Sequence, residues 1–257
     1  MCELFGISSE QQIPVNDLLR EFYSHSVRHP NGWGLATFCG GTASIEKEPV
    51  QASNSAYLRE RLSDTIQAST LLAHIRLATV GSIAYSNCHP FVQQDSCSRC
   101  WVLIHNGTIF HGSGLAPYQS LQQGKTDSER ILLYLVDQVN QRQAATGHPL
   151  DAAERFQLLD LLLSDLSLGN KLNLMLYDGE RLYVHCNYAN SLYVCEQDGA
   201  AVFCTVPLQA GHWKPLPFTT LCAYQNGRLV LAGQPHGHAY VDNPENMSFL
   251  LAAQANL

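Results

Sequence analysis

The chain opens Met1-Cys2-Glu3-Leu4-Phe5-Gly6, MCELFG. Removal of the initiator methionine would leave one residue carrying both a thiol and a free α-amine. A thiol that attacks an amide carbonyl needs a base, and an α-amine with a reference pKa of about 7.7–8.0 accepts a proton near neutral pH. A cysteine at position 2 means little alone. Its meaning depends on whether the remaining residues supply the other parts of such a reaction.

Composition narrows the possibilities. The 257 residues fit one large domain or two small ones, and a 46% hydrophobic, 14% charged chain can bury a sizeable core rather than stay disordered. A net charge of −7 with no basic run argues against nucleic acid as the main partner. No apolar run approaches the ~20 residues of a membrane span, so no membrane association is expected. The first residues lack the basic and long apolar regions of a signal peptide. Nine cysteines, an odd number at scattered positions, read as thiols in a reducing cytoplasm and not as a disulfide framework. Cys97-Ser98-Arg99-Cys100 is a CxxC without a second pair at zinc spacing, so neither metal nor cofactor is expected.

Strand patterns are frequent: Trp33–Phe38, Thr70–Ile75, Trp101–His105, Leu192–Cys195, Ala201–Thr205 and Thr220–Tyr224. Asp178-Gly179 between Leu172–Tyr177 and Arg181–Cys186 predicts a hairpin, and Asn226-Gly227 before Arg228–Leu231 predicts another turn. Short helices are predicted over Asp17–Ser24 and Tyr57–Ser63. Thr126-Asp127-Ser128-Glu129 fits a capping box opening a helix with Ile131, Leu132, Leu135 and Val139 on one face. Asp151–Leu166 predicts a further helix. Many strands with separate helices imply an α+β fold of packed layers. The loop Gln141–Pro149 is the best seam, but apolar segments continue densely on both sides. A single domain over 2–257 is therefore expected.

Four internal stretches place polar groups where strands end or helices begin: Arg28–Gly34, Ala73–Thr79, His105–Thr108 and Lys125–Glu129. Amide chemistry at Cys2 needs hydrogen-bond donors for an oxyanion. Asn106 has a side-chain amide, and Gly107 lets a backbone N–H approach closely. An α-amino-acid substrate needs a cation for its carboxylate, which Arg76 supplies as a planar fork, and an anion for its ammonium, which Asp127 supplies. Taken singly, Asn-Gly is most often a hairpin turn, Arg76 a structural ion-pair residue and Asp127 a first-turn helix charge. Taken together and in order, they form a constellation.

That constellation resembles the class II glutamine amidotransferases, whose domain belongs to the N-terminal-nucleophile hydrolases. The matching features are MCELFG, Asn31-Gly32-Trp33-Gly34, His74-Ile75-Arg76-Leu77-Ala78-Thr79, Asn87-Cys88-His89-Pro90-Phe91, His105-Asn106-Gly107 and Thr126-Asp127-Ser128-Glu129, spread over roughly residues 1–130. Compact, stand-alone YafJ-like members look closest. The resemblance implies a four-layer αββα sandwich of two antiparallel sheets flanked by helices. It implies Cys2 as nucleophile, Asn106 and Gly107 as the oxyanion hole, Arg76 with Thr79 on the glutamine carboxylate, and Asp127 on its amine. Compact members usually carry Asp at the position of Asn31, and many synthase-linked members carry His at Val80. These departures leave the preferred substrate open. The expected activity is hydrolysis of the glutamine side-chain amide, with ammonia passing to a separate synthase chain or released beside glutamate. A γ-glutamyl amide or peptide presents the same end groups. A non-catalytic binding or regulatory subunit is the alternative outside enzymology.

Overall fold

The computed structural model of the chain describes residues 2–254. In chain order the elements are β1 (Glu3–Pro14), α1 (Asn16–Ser24), β2 (Trp33–Cys39), β3 (Thr42–Glu48), α2 (Ala56–Arg61), β4 (Gln67–Ile75), β5 (Phe91–Gln94), β6 (Cys100–Thr108), α3 (Asp127–Thr146), α4 (Ala152–Ser167), β7 (Lys171–Tyr177), β8 (Leu182–His185), β9 (Tyr193–Gln197), β10 (Ala200–Cys204), β11 (Lys214–Pro215), β12 (Cys222–Gln225), β13 (Arg228–Ala232) and α5 (Pro244–Gln254). They build two antiparallel sheets. One has the order β11-β9-β10-β1-β4-β2-β3 and the other β13-β12-β8-β7-β6-β5.

Side-chain alternation turns the sheets into layers. Residues on the two faces of a strand repeat every second position. Along β1, Phe5 and Ile7 pack with Leu19 and Phe22 of α1, whereas Leu4 packs with Val102, Ile104 and Met175 of the facing sheet. Leu103 of β6 and Leu174 of β7 face the other way, into a cluster with Ile131, Leu135, Leu159 and Leu163 of α3 and α4. The result is helices, sheet, sheet, helices, as expected.

Local signals explain much of this. Asp151 accepts from the Ala153 and Glu154 N–H groups, and Glu154 returns a bond to the Asp151 N–H, a complete capping box for α4. The box expected at α3 is half formed. Thr126 accepts from the Glu129 N–H, but the Glu129 carboxylate bonds the Gln123 and Gly124 N–H groups instead, fixing the loop before the helix. The seam expected at Gln141–Pro149 is helical through Thr146, because Gln143 is buried and bonds Ser96. The helix stops at Gly147, whose φ of 76° is the left-handed cap that glycine favours. Four strands went unanticipated: β1, β3, β5 and the two-residue β11. No helix among the described residues is long and apolar enough to cross a membrane.

Candidate active site

Cys2 lies just ahead of β1, on the face that continues to Leu4 and Gly6. That face points between the sheets. The strand's start is pinned on both sides. Leu4 N–H donates to Thr205 Oγ1 at 2.9 Å, and Thr205 N–H donates to the Leu4 carbonyl at 3.0 Å. Glu3, pointing the opposite way, holds His25 Nδ1 at 2.8 Å. The half-buried Cys2 thiol lies 3.4 Å from the Leu77 carbonyl.

Pairing of β1 with β4 sets Glu3 opposite Ile75, so Cys2 is brought beside Arg76 at the same sheet end. Arg76 is 3% exposed. Its guanidinium donates to the carbonyls of Val80, Gly81 and Ser82 at 2.8–3.0 Å. Arg76 thus folds the loop after β4 around itself, and two of its five N–H groups remain beyond those three bonds. Gly81, at φ 78°, makes the turn. Thr79 is partly exposed on this loop. The Asn31 side chain accepts from the Ala78 N–H at 2.9 Å. An acceptor oxygen is what that position uses, and the amide of Asn31 supplies it without a charge.

On the facing sheet, Asn106-Gly107 is not a hairpin turn. Both residues lie in β6, paired with Asn173 and Leu172 of β7. Gly107 is required sterically, because a Cβ there would run into the Lys171 carbonyl and the His105 imidazole. Asn106 shares a face with Ile104, so it too points between the sheets, toward Cys2. It is 3% exposed, yet its side-chain amide makes no hydrogen bond among the described residues. Asp127, the first residue of α3, is 6% exposed and accepts from the Ile109 N–H through Oδ2 at 2.8 Å. Ser128 Oγ lies 3.4 Å from Asp127 Oδ1 and 3.0 Å from His105 Nδ1, which ties the start of α3 to the end of β6. Cys2, Arg76, Thr79, Asn106, Gly107 and Asp127 therefore gather at one end of the sandwich from four separate parts of the chain.

Sequence reading assigned no role to the residues that hold this end together. His74 on β4 reaches across to the His105 carbonyl at 3.3 Å and stacks on His89 with ring centroids 4.0 Å apart. Asn87 donates to the Ser82 carbonyl and accepts from the Lys125 N–H, joining the Arg76 loop to the entry of α3. Their signal was polar residues within the matching motifs, which marks those segments but not the partners each side chain takes.

Burial pushes the Cys2 thiol above its ordinary value; the charge of the chain's amino terminus and that of Arg76 oppose this, and Asp127 adds to it. Burial holds His74 and His89 well below the imidazole range, and it lowers His105 while Asp127 pulls the other way. His185 is driven to about 3, chiefly by burial. An imidazole kept neutral inside the fold takes up a proton once unfolded, so the unfolded state binds more protons below the ordinary pKa of 6.5. Stability is full above that pH and falls as pH drops, for His185 down to about 3. Urea unfolding should lose up to about 1.4 kcal/mol per pH unit for each such histidine. A flat profile from pH 6.5 to 5, above the carboxylate range, would contradict their neutral burial.

The sequence profile of the class-II glutamine amidotransferases matches residues 1–198. An uncharacterized protein of Methanocaldococcus jannaschii is 35% identical over 190 residues, which make up 73% of this chain and 51% of that protein. YafJ of Escherichia coli K12 is 29% identical over 73% of each chain. The chain thus spans about half the length of the first relative and about three quarters of the second. Two solved structures share the fold. A chain described as a predicted glutamine amidotransferase from Pseudomonas aeruginosa aligns with TM-score 0.59 at 19% identity, covering 90% of this chain and 100% of that one. Glutamine phosphoribosylpyrophosphate amidotransferase from B. subtilis aligns with TM-score 0.67 at 16% identity, covering 91% and 49%. With a profile match running through β1, the Arg76 loop, β6 and the start of α3, this chain belongs to the class-II glutamine amidotransferases.

Proposed function

We propose that the chain is a single glutaminase domain in which Cys2, freed of Met1, attacks the side-chain amide of glutamine. The thiol proton passes to the Cys2 α-amine, and the thiolate sulfur bonds to the amide carbon. The oxyanion so formed is held by the Asn106 amide and the Gly107 N–H. The C–N bond then breaks, the nitrogen takes the proton and ammonia leaves. Water hydrolyses the γ-glutamyl thioester to glutamate. Arg76, through the N–H groups its loop leaves over and with Thr79 beside it, takes the substrate carboxylate. Asp127, held by the Ile109 N–H, takes the substrate ammonium. Ammonia is released to solution or to a separate acceptor enzyme.

One observation supports this reading above the rest. Asn106 lies on the inward face of β6 shared with Ile104, at the end of the sandwich where Cys2 starts the opposite sheet, and its side-chain amide has no partner among the described residues. With no described protein partner, its N–H donors remain available to a ligand or a transition state. The test is intact mass with and without a glutamine-analogue electrophile, followed by peptide mapping. The expected result is a chain lacking Met1 that gains one adduct, on Cys2. Full retention of Met1 in a fully active preparation, or labelling elsewhere, would refute the α-amine mechanism.

A further inference from the structure

Lys171 begins β7 directly opposite Thr108 of β6, two register pairs beyond Asn106 and Asn173. It shares its face with Asn173 and Met175, and Met175 lies between the sheets in the cluster that holds Leu4. A Cβ on Gly6 of β1 would lie 2.5 Å from Met175 Sδ. Moving from Gly6 to Cys2 on β1 and from Met175 to Lys171 on β7 leads to the same end of the sandwich. Lys171 thus belongs to the same rim as the thiol, although the resemblance assigns it nothing.

Its ammonium is placed deliberately. Lys171 is 4% exposed, and its Nζ lies 3.5 Å from the centre of the Tyr188 ring. The Tyr188 hydroxyl donates to Asp242 Oδ2 at 2.7 Å. Backbone bonds secure that segment: Tyr240 N–H donates to the Asn187 carbonyl at 2.8 Å, and Asn187 Nδ2 donates to the His238 carbonyl at 3.1 Å. Residues 238–242 lie beyond the stretch 1–198 that the family profile matches. Chain outside the shared region therefore carries the support for this lysine.

We infer that Lys171 is a positioning residue: its ammonium favours the thiolate of Cys2, and Tyr188 and Asp242 hold that ammonium in place. Both groups resist ionising alone, because burial penalises either charge. At the same rim, each charge lowers the cost of the other, and the effect is reciprocal. The charge of the chain's amino terminus also favours the Cys2 thiolate. Arg76 at the end of β4 and Asp127 at the start of α3 act on Cys2 with opposite signs. Asp242, Cys186 and Cys2 favour the Lys171 ammonium against burial, which brings it down to about 8, and His105 on β6 feels its charge.

This inference rests on Cys2 as the nucleophile for its consequence, but its test needs no turnover. Alkylation of Cys2 by iodoacetamide is followed against pH on the Cys2 peptide, without glutamine. In Lys171→Met the midpoint should rise by about one unit, so that below both midpoints Cys2 reacts roughly tenfold more slowly. Lys171→Arg should restore the wild-type midpoint, which a merely structural lysine would not predict. A folded Lys171→Met protein with an unshifted Cys2 midpoint overturns the inference while leaving glutaminase activity at Cys2 untouched. Should Lys171→Met fail to fold, reciprocity supplies the second arm. The chain has four lysines, so the 13Cε signal of Lys171 is resolvable, and its titration midpoint should fall in Cys2→Ala. A midpoint unmoved by that change also overturns the inference.

Discussion

Cys2→Ala should abolish glutamine turnover while unfolding at the wild-type temperature. The thiol is half-buried at a strand start, and its one described polar contact is the long 3.4 Å approach to the Leu77 carbonyl. Removing it opens no large cavity and strands no strong partner, so the stability change should stay within about 0.5 kcal/mol. The strand start itself is held by Thr205 and by the Glu3–His25 pair, neither of which involves the thiol. Cys2→Ser keeps the volume but should lose most of the rate, since a hydroxyl ionises far less readily than a thiol of pKa ~8.5. Glutamate release, measured beside thermal unfolding on both variants, separates lost chemistry from lost fold. Normal turnover by Cys2→Ala would end the proposal outright.

The parts of the fold that could be read from residues alone are those with local causes. The α4 helix follows from the apolar spacing of Phe156, Leu159, Leu162 and Leu163 behind an Asp151–Glu154 box. The β7–β8 and β12–β13 hairpins follow from Asp178-Gly179 and Asn226-Gly227, where Gly179, Asn226 and Gly227 all take positive φ. What could not be read has a tertiary cause. The strand β1 runs through the polar stretch Ser8-Ser9-Glu10-Gln11-Gln12, which has no strand-like alternation; β10 pairs with it through Ser9, and β4 pairs at Ser8 and again from Ile13 beyond a register shift. In β3, Thr42–Glu48 is an edge strand carrying Glu46, Lys47 and Glu48, the charges that discourage further pairing at an edge and also hide a strand from pattern reading.

The site divides along the same line. Cys2, Arg76, Asn106 and Asp127 stand out as candidates in the sequence because each supplies a group the proposed chemistry needs and few others in the chain supply it in that order. Their meeting was not, because it depends on a β1–β4 register across more than seventy residues and on two sheets facing each other. The structural use of Arg76 also escaped. A fork free for a carboxylate is what its residue type suggests, whereas three of its donors fold the loop of residues 80–82. His74, His105 and Asn31 bond to neighbouring residues, and no step of the proposed reaction calls for them by type.

Asn106→Ala should lower kcat by roughly a hundredfold or more, the scale seen when one oxyanion donor is removed. The donor's help grows as charge develops on the oxygen, so the loss should fall on the chemical step. Glutamine affinity should change little, because the ground-state carbonyl is a weaker acceptor. A structural Asn106 predicts the reverse: stability lower by about 1 kcal/mol, with kcat per folded molecule near wild type. The geometry weighs against that outcome. The β6 ladder to β7 uses backbone groups, and the His74 bond goes to the His105 carbonyl, so both survive truncation at Asn106. The Asn106 amide itself has no described partner to strand. Thermal unfolding, glutamine binding and single-turnover thioester formation on this one variant decide between the two. Slow thioester formation with normal binding and melting places Asn106 on the oxyanion; a normal rate with a lowered melting temperature would require the donor to be sought elsewhere.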